Sequence, residues 1–172
     1  MANTDRAYGF VGFGPTLRMQ EYSVIASYGT GIFIGDVCDG VSSGYVEASG
    51  ATAVDKVGCA ATYSAASTAS SRANPMMILN HPDQLFQAQD DGDGTTSAIS
   101  HIHNSCDHIA GTGSTTTLKS GHEIDISTVS ASDGGFVLIE LVKREDNAFG
   151  ENADWVCQLN VGEGILTLNA GI

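Results

Sequence analysis

The sequence predicts an all-β protein, a small β-barrel or sandwich domain with an extended N-terminal arm. Composition is the first observation: 16% of the residues are charged and 42% are hydrophobic, whereas long surface helices require more Lys, Glu and Arg. Spacing is the second, since short apolar runs end at Gly, Asp or Asn at irregular intervals, as strands joined by turns do. About eight short strands with at most one helix favour a barrel or sandwich over alternating strands and helices.

The chain divides into two predicted parts, an arm at residues 1–17 and a single β-rich domain at residues 18–172. The arm places Tyr8, Phe10 and Phe13 among glycines, a composition that suits neither a stable helix nor an ordinary core strand. One interpretation is an extended segment that packs on another surface, and the other is a segment folded back on its own domain. The predicted strands of the domain are residues 21–26, 32–38, 45–48, 57–63, 85–89, 122–129, 136–142, 155–161 and 165–168, and residues 76–79 form a further short apolar run.

One short helix is predicted between residues 95 and 109. Its apolar positions recur three or four residues apart, which is the spacing of one helical face. These positions are Ala98, Ile99, Ile102, Cys106 and Ile109.

The charge balance argues against two classes of partner. Seven Lys and Arg residues against twenty Asp and Glu residues give a formal net charge of -13. Binding to nucleic acid requires clustered cations that displace counterions from the phosphates, and anionic membrane surfaces also attract basic segments. No apolar run approaches the roughly 20 residues that span a bilayer. We therefore expect neither nucleic-acid nor membrane partners.

The start of the chain and its cysteines predict synthesis in a reducing cytoplasm. Residues 1–6 show no basic segment followed by an apolar core and a cleavage site. Four cysteines, at positions 38, 59, 106 and 157, lie far apart and form no CxxC pair, which excludes a zinc ribbon or a thioredoxin-type redox site. Buried free thiols are expected at such positions.

A pattern found in hydrolases occurs at residues 40–44. The sequence Gly-Val-Ser-Ser-Gly matches GxSxG, in which a strand-to-helix turn exposes the serine, here Ser42. Residues 45–48 are predicted to form a strand, so the helix that the motif requires is missing. We predict that the protein is not an enzyme and has no cofactor. A small hydrolase that uses Ser42 is an alternative, which a serine-reactive probe would test.

A cluster of side chains that could bind a metal ion lies between residues 101 and 108. Its members are His101, His103, Cys106, Asp107 and His108. His101 and His103 would share a strand face, but His101, Cys106 and His108 would not share one helical face. We predict no metal site there, with an ion held between subunits on a symmetry axis as the alternative.

An acidic turn at residues 90–94 has some features of a calcium loop. An EF-hand needs Asp at positions 1, 3 and 5, Gly at 6 and Glu at 12. A loop that starts at Asp91 has Asp93 at position 3 but Thr95 at 5 and Ile102 at 12. The EF-hand motif is therefore absent. A solvated turn is predicted, and a looser calcium site is the alternative.

Four short blocks of sequence give the clearest indication of function. The blocks are residues 8–10 (YGF), 81–89 (HPDQLFQAQ), 109–117 with 120–125 (IAGTGSTTT and SGHEID) and 141–160 (LVKREDNAFGENADWVCQLN). In this order they resemble segments of the capsid decoration, or cement, proteins of tailed bacteriophages. The second block is similar to that family's Pro-Asp-x-x-Phe-x-x-Gln segment, and the third to its Gly-Thr-Gly run before a Leu-Asp pair. None of the four blocks is a catalytic signature.

The resemblance implies a structural virion protein that binds the outer surface of the expanded capsid and bridges neighbouring subunits. Its expected partners are the major capsid protein and further copies of this chain, as a trimer or dimer. Its expected location is the outer capsid surface of the virion, after synthesis in the host cytoplasm. Within this hypothesis Tyr8, Phe10 and Phe13 are predicted to anchor a capsid or subunit interface, because aromatic side chains on a flexible backbone are good anchors. The alternative is a β-rich fibre, spike or carbohydrate-binding module that recognises the host surface.

Overall fold

The computed structural model describes residues 3–51, 56–66, 74–130 and 134–160. Within these ranges the chain forms eleven strands, one 3-10 turn (Ile99–His101) and no α-helix, which confirms the all-β class. The strands are β1 (Val11–Phe13), β2 (Met19–Val24), β3 (Val37–Gly40), β4 (Val46–Ala48), β5 (Lys56–Ala60), β6 (Asn74–Leu79), β7 (Leu85–Gln89), β8 (Ser105–Ile109), β9 (Glu123–Ser130), β10 (Phe136–Leu141) and β11 (Asp154–Leu159). In the part of the chain that is described, no helix has the length and apolar character needed to cross a membrane.

The strands form two units, a six-stranded sheet and a closed five-stranded barrel. The sheet has the order β1-β7-β11-β10-β8-β9, and all of its pairings are antiparallel. The barrel has the order β2-β4-β3-β5-β6, with antiparallel pairings except between β2 and β4. Closure removes the free edges of the barrel, whereas the sheet keeps β1 and β9 as edge strands.

The barrel and the sheet are packed together because three strands of the barrel, β3, β5 and β6, contribute side chains to two hydrophobic cores. Successive side chains of a strand point to opposite faces. Val37, Cys59 and Leu79 therefore pack with the core of the sheet, whereas Cys38 and Ile78 fill the barrel. Burial on both faces explains why every residue of β5 is buried. All four cysteines are buried free thiols, as predicted.

Aromatic side chains dominate the core of the sheet. Phe10, Phe86, Phe136 and Trp155 are almost completely removed from solvent. The Phe10 ring stacks on Phe136 with 4.3 Å between ring centroids, and Phe86 meets Phe136 edge-on at 6.5 Å. Burial of a phenylalanine side chain stabilises the fold by about 2–3 kcal/mol.

The N-terminal segment folds back on its own domain. Strand β1 pairs with β7, and the N–H of Phe10 donates to the carbonyl oxygen of Gly35 at 2.8 Å. Gly9 has a φ of +79°, and a Cβ atom at this position would lie 2.4 Å from the Cβ of Ser120. Only glycine permits this close approach. Of the two interpretations of the arm, the structure shows the folded-back one.

The prediction of a helix between residues 95 and 109 is wrong. Residues 99–101 form a single 3-10 turn, and residues 105–109 form β8, which lies between β9 and β10. Cys106 and His108 are both buried, as residues two apart on the inner face of a strand are. Pairing on both sides of β8 therefore overrides the helical spacing of the apolar residues.

Eight predicted strands overlap observed ones, and the largest difference is at residues 32–38. There the chain makes isolated bridges through Ile32 and Ile34 before β3 begins at Val37. β1, β6 and β8 are not among the predicted strands, although the short apolar run at residues 76–79 lies within β6. The strand predicted at residues 165–168 lies outside the described residues.

Candidate functional site

An open groove of about 480 Å³ lies where the four blocks of sequence meet. Its lining includes Tyr8 from the first block, Gln87 from the second, Thr112 and Ser120 from the third, and Arg144 from the fourth. The sheet brings these segments together because β7 lies between β1 and β11. Residues that are far apart in the sequence therefore share one surface.

Three glutamines in or beside β7 attach the N-terminal segment to the domain. Alternation along the strand places Gln87 and Gln89 on one face, and Gln84 lies in the preceding turn. The side-chain bonds are Gln84 with the N–H of Leu17 (3.0 Å), Gln87 with the hydroxyl of Tyr8 (2.8 Å), and Gln89 with the N–H of Arg6 (2.6 Å) and the carbonyl of Thr4 (2.9 Å). The second block thus fixes the path of residues 4–17.

Asp154, at the start of β11, is the centre of an ionic network at the edge of the groove. Its carboxylate is fully buried and accepts hydrogen bonds from the Arg144 guanidinium and from the Tyr8 hydroxyl, the latter at 2.8 Å. Arg6 lies 3.6 Å from both Asp154 and Asp146, and Arg144 also binds Asp146. The hydrogen bond from Arg144 holds the pKa of Asp146 below its usual range. Burial and the hydrogen bond to Asp154 raise the pKa of Tyr8, so its hydroxyl stays a donor.

The connection between β10 and β11 holds Arg144 in position. The side-chain amide of Asn147 donates to the carbonyl oxygens of Val142 and Asp154, at 2.9 and 2.8 Å. The Asn147 side-chain oxygen accepts the N–H of Asp154 at 2.9 Å. Asn147 therefore closes the turn, and Arg144 lies on the same turn facing Asp154.

The predicted interface aromatics have different environments. Phe10 is 1% exposed inside the core of the sheet, so the prediction that it anchors a neighbouring protein is wrong. It fills the domain's own interior because Gly9 turns the chain inward. Tyr8 and Phe13 are half-buried, and their place at an interface stays a prediction.

Exposed apolar side chains recur along residues 11–19, from the edge strand β1 to β2, which belongs to the barrel. Val11, Leu17 and Met19 are 39%, 46% and 48% exposed, and Phe13 lies between them. We call these four residues the apolar strip. β1 is an edge strand only three residues long, so its outer side has no strand partner among the described residues.

The histidine and cysteine cluster near residue 105 does not converge on one point. Cys106 and His108 are buried in the core, whereas His103 is exposed and His101 lies in the 3-10 turn. The ring of His108 stacks on His122 with 5.2 Å between centroids. Among the described residues, these side chains form no group close enough to bind one ion.

A second pocket, of about 330 Å³, contains a histidine and a carboxylate that sequence reasoning missed. His122 Nδ1 accepts the N–H of Val37 at 3.2 Å, so Nε2 carries the proton and faces Asp36 at 3.5 Å. Burial lowers the pKa of His122, and the charge of Asp36 opposes that shift. Nδ1 is occupied by the Val37 N–H, so it is not free to accept a proton from a nucleophile. The pair links two segments 86 residues apart, which no local pattern could predict.

An acidic cluster surrounds the predicted calcium-like turn. Its members are Asp90, Asp91, Asp93, Glu123 and Asp125. The carboxylates of Asp91, Asp93 and Asp125 lie within 4.8 Å of one another and are the one group of described residues that could hold a metal ion. Asp90 is fully buried, which corrects the prediction that the whole turn is solvated.

Burial changes the protonation of the acidic cluster. It raises the pKa of Asp90 to about 6, although Asp90 accepts three backbone N–H groups. Burial and the charges of Asp93 and Asp125 raise the pKa of Asp91 to about 6. The pKa of Glu123 rises to about 7, first through burial and then through neighbouring aspartates. These groups therefore titrate close to neutral pH.

Ser42 lies in a tight turn between two strands. The turn is closed by hydrogen bonds from Val41 to Tyr45 and from Gly44 to Val41, and β4 follows. No histidine among the described residues makes a hydrogen bond with the Ser42 hydroxyl. The strand-to-helix geometry of a nucleophile elbow is therefore absent here.

In comparisons with protein-family models, with curated proteins and with solved structures, no match to this chain is found.

Proposed function

We propose that the protein is a structural component of a tailed-phage virion that binds the outer surface of the expanded capsid and bridges neighbouring major capsid protein subunits. The four blocks that resemble decoration proteins support this proposal. Residues from all four line one groove, and those of the first, second and fourth blocks are joined by hydrogen bonds through Tyr8, Gln87 and Asp154. Four unrelated matches would have no reason to meet in this way.

The apolar strip is the surface through which we expect the protein to dock on the capsid. Exposed apolar side chains that cluster on a soluble protein mark interaction sites, and edge strands offer unpaired backbone groups to a partner. Val11 is exposed on the edge strand β1, and the exposed Leu17 and Met19 follow it along the chain. We assign the major capsid protein as its partner.

A contact as small as the apolar strip can be weak in each copy and still give stable attachment, because many copies bind one shell. Copies that also touch one another around a symmetry axis, as a trimer or dimer, gain stability through multivalency. The net charge of -13 is compatible with a surface that faces away from packaged DNA.

Cosedimentation with expanded, undecorated heads and with unexpanded proheads tests the proposal. We expect saturable binding to expanded heads, and a loss of affinity of at least about tenfold for the double variant Leu17→Ser, Met19→Ser. Ile99→Ser is the matched control, because Ile99 is 72% exposed and lies in the 3-10 turn outside the strip. Deletion of residues 2–14 is a poorer test, since it removes Phe10 from the core.

Two outcomes would count against the proposal. If the wild-type protein binds neither expanded heads nor proheads, the capsid function is wrong, and a fibre or carbohydrate-binding module becomes the leading function. If the double variant binds as the wild type does, the capsid is contacted through another surface.

A further inference from the structure

The groove concentrates positive charge in an acidic protein. Three of the chain's seven Lys and Arg residues line it, together with several hydroxyl groups. The cations belong to Arg6, Lys119 and Arg144, and hydroxyl groups come from Thr112, Ser114 and Thr117. Cations and hydroxyls on one concave surface are the groups that recognise an oxyanion.

The charge balance of the groove leaves one cation without a counterion. Arg6 and Arg144 face the carboxylates of Asp146 and Asp154, so these four charges cancel. Among the ion pairs of the described residues, none includes Lys119. One net positive charge matches a ligand group that carries one negative charge.

The groove is held in shape by contacts that need no ligand. The Ser114 N–H donates to the carbonyl of Lys119, and the Leu118 N–H donates to the carbonyl of Ser114, at 2.8 and 2.7 Å. Ser114 Oγ also accepts the N–H of Thr117 at 3.2 Å. On the opposite side, Tyr8 is fixed between Gln87 and Asp154. A preformed site loses little conformational entropy when it binds.

We propose that this groove binds a carboxylate carried on a hydroxylated body, as in a sugar acid. Lys119 provides the charge for the carboxylate, and the hydroxyls of Thr112, Ser114 and Thr117 can both donate to and accept from ligand hydroxyls. The volume of about 480 Å³ exceeds what a bare carboxylate needs and lies in the range of small-molecule sites. This site goes beyond capsid binding and does not depend on it.

Titration of the isotope-labelled full chain by NMR tests the site, with glucuronate, glucose and acetate as probes at constant ionic strength. We expect glucuronate to shift the amides of residues 112–121 saturably and to bind more tightly than acetate. Lys119→Gln should weaken glucuronate binding about tenfold, as the loss of a charge-assisted hydrogen bond does. Lys143→Gln is the matched control, because it removes the same charge from a side chain that pairs with Glu140 outside the groove.

Three results would overturn the proposal. They are the absence of saturable shifts with glucuronate, equal binding of glucose and glucuronate, and equal weakening by Lys119→Gln and Lys143→Gln. Thr117→Val is a second variant in case Lys119→Gln does not fold, since Thr117 is exposed. It should weaken glucuronate binding and leave acetate binding unchanged, and an unchanged affinity for glucuronate would contradict the role of the hydroxyls. Unchanged cosedimentation of Lys119→Gln with heads would separate this site from the capsid function.

Discussion

The groove and the acidic cluster both contain a fully buried carboxylate, but they neutralise it differently. Asp154 of the groove faces the guanidinium groups of Arg6 and Arg144. Asp90 of the cluster is held by three backbone N–H groups, and no ion pair among the described residues includes it. The contrast shows that one buried carboxylate of this acidic chain is neutralised by arginines, whereas another is held by backbone dipoles.

The two regions therefore respond differently to pH. At the groove, the hydrogen bond from Arg144 lowers the pKa of Asp146, so this carboxylate keeps its charge well below neutral pH. Burial raises the pKa of Asp90, Asp91 and Glu123 to between about 6 and about 7, so the cluster takes up protons near neutral pH. Substitutions in each region test this contrast.

Asp154→Asn should have the largest effect. It removes the charge that Arg144 and Arg6 share, and we expect the free energy of unfolding to fall by about 2–3 kcal/mol. The value lies at the low end for a broken buried pair because both arginines are partly exposed and can regain water. Urea unfolding at pH 7 measures it. Asp93→Asn, an exposed member of the cluster, is the control, and equal effects of the two variants would contradict the contrast.

A buried histidine, His108, provides a second test of the pH response. Its contribution to the free energy of unfolding changes with pH in the opposite direction to that of the acidic cluster. Burial, and then the charges of His122 and Lys56, lower the pKa of His108 from 6.5 to about 3. The unfolded chain therefore binds more protons between these values, and stability falls as the pH drops below 6.5 by about 1.4 kcal/mol per pH unit.

His108→Leu should remove this contribution to acid sensitivity. We expect the difference in unfolding free energy between variant and wild type to move in favour of the variant by about 2 kcal/mol between pH 6.5 and pH 5. Urea unfolding at several pH values measures this difference, and the other titrating groups are common to both proteins. Parallel stability curves would show that His108 keeps an ordinary pKa in the folded state.

Glu123→Gln should have the smallest effect on the free energy of unfolding. Its effect appears above neutral pH, whereas that of His108→Leu appears below pH 6.5. The pKa of Glu123 is raised from 4.5 to about 7, so its stabilising contribution is present below 4.5 and is lost as the pH rises through 7. The variant should gain about 1 kcal/mol at pH 8, after allowance for partial exposure, and nothing at pH 4.5. Thermal or urea unfolding at the two pH values checks this. Glu145→Gln, an exposed side chain, is the control, and an equal gain there would point to net charge alone.

Local sequence patterns predicted most strands because alternation and turn residues act over a few positions. The prediction at residues 85–89 coincides with β7, and that at residues 136–142 ends one residue beyond β10. The same reasoning failed at β8, where Ile102, Cys106 and Ile109 fall at helical spacing by coincidence. Pairing with β9 and β10 decides the conformation there, and a single sequence does not contain that information in local form.

The candidate sites were less predictable than the strands because they form between distant segments. Tyr8 was singled out as an interface aromatic, but its bonds to Gln87 and Asp154 depend on the order of strands in the sheet. No local pattern identifies Lys119, because it becomes the groove cation outside the described ion pairs only once the two arginines pair with carboxylates. The Asp36–His122 contact likewise depends on the packing of the barrel against the sheet.

Electron cryomicroscopy of expanded heads incubated with saturating protein would test the capsid function most directly. We expect density for one copy at each equivalent lattice position on the outer surface of expanded heads, with the apolar strip of residues 11–19 facing the shell. We expect no such density on unexpanded proheads. A bare lattice on expanded heads at saturating protein would contradict the account.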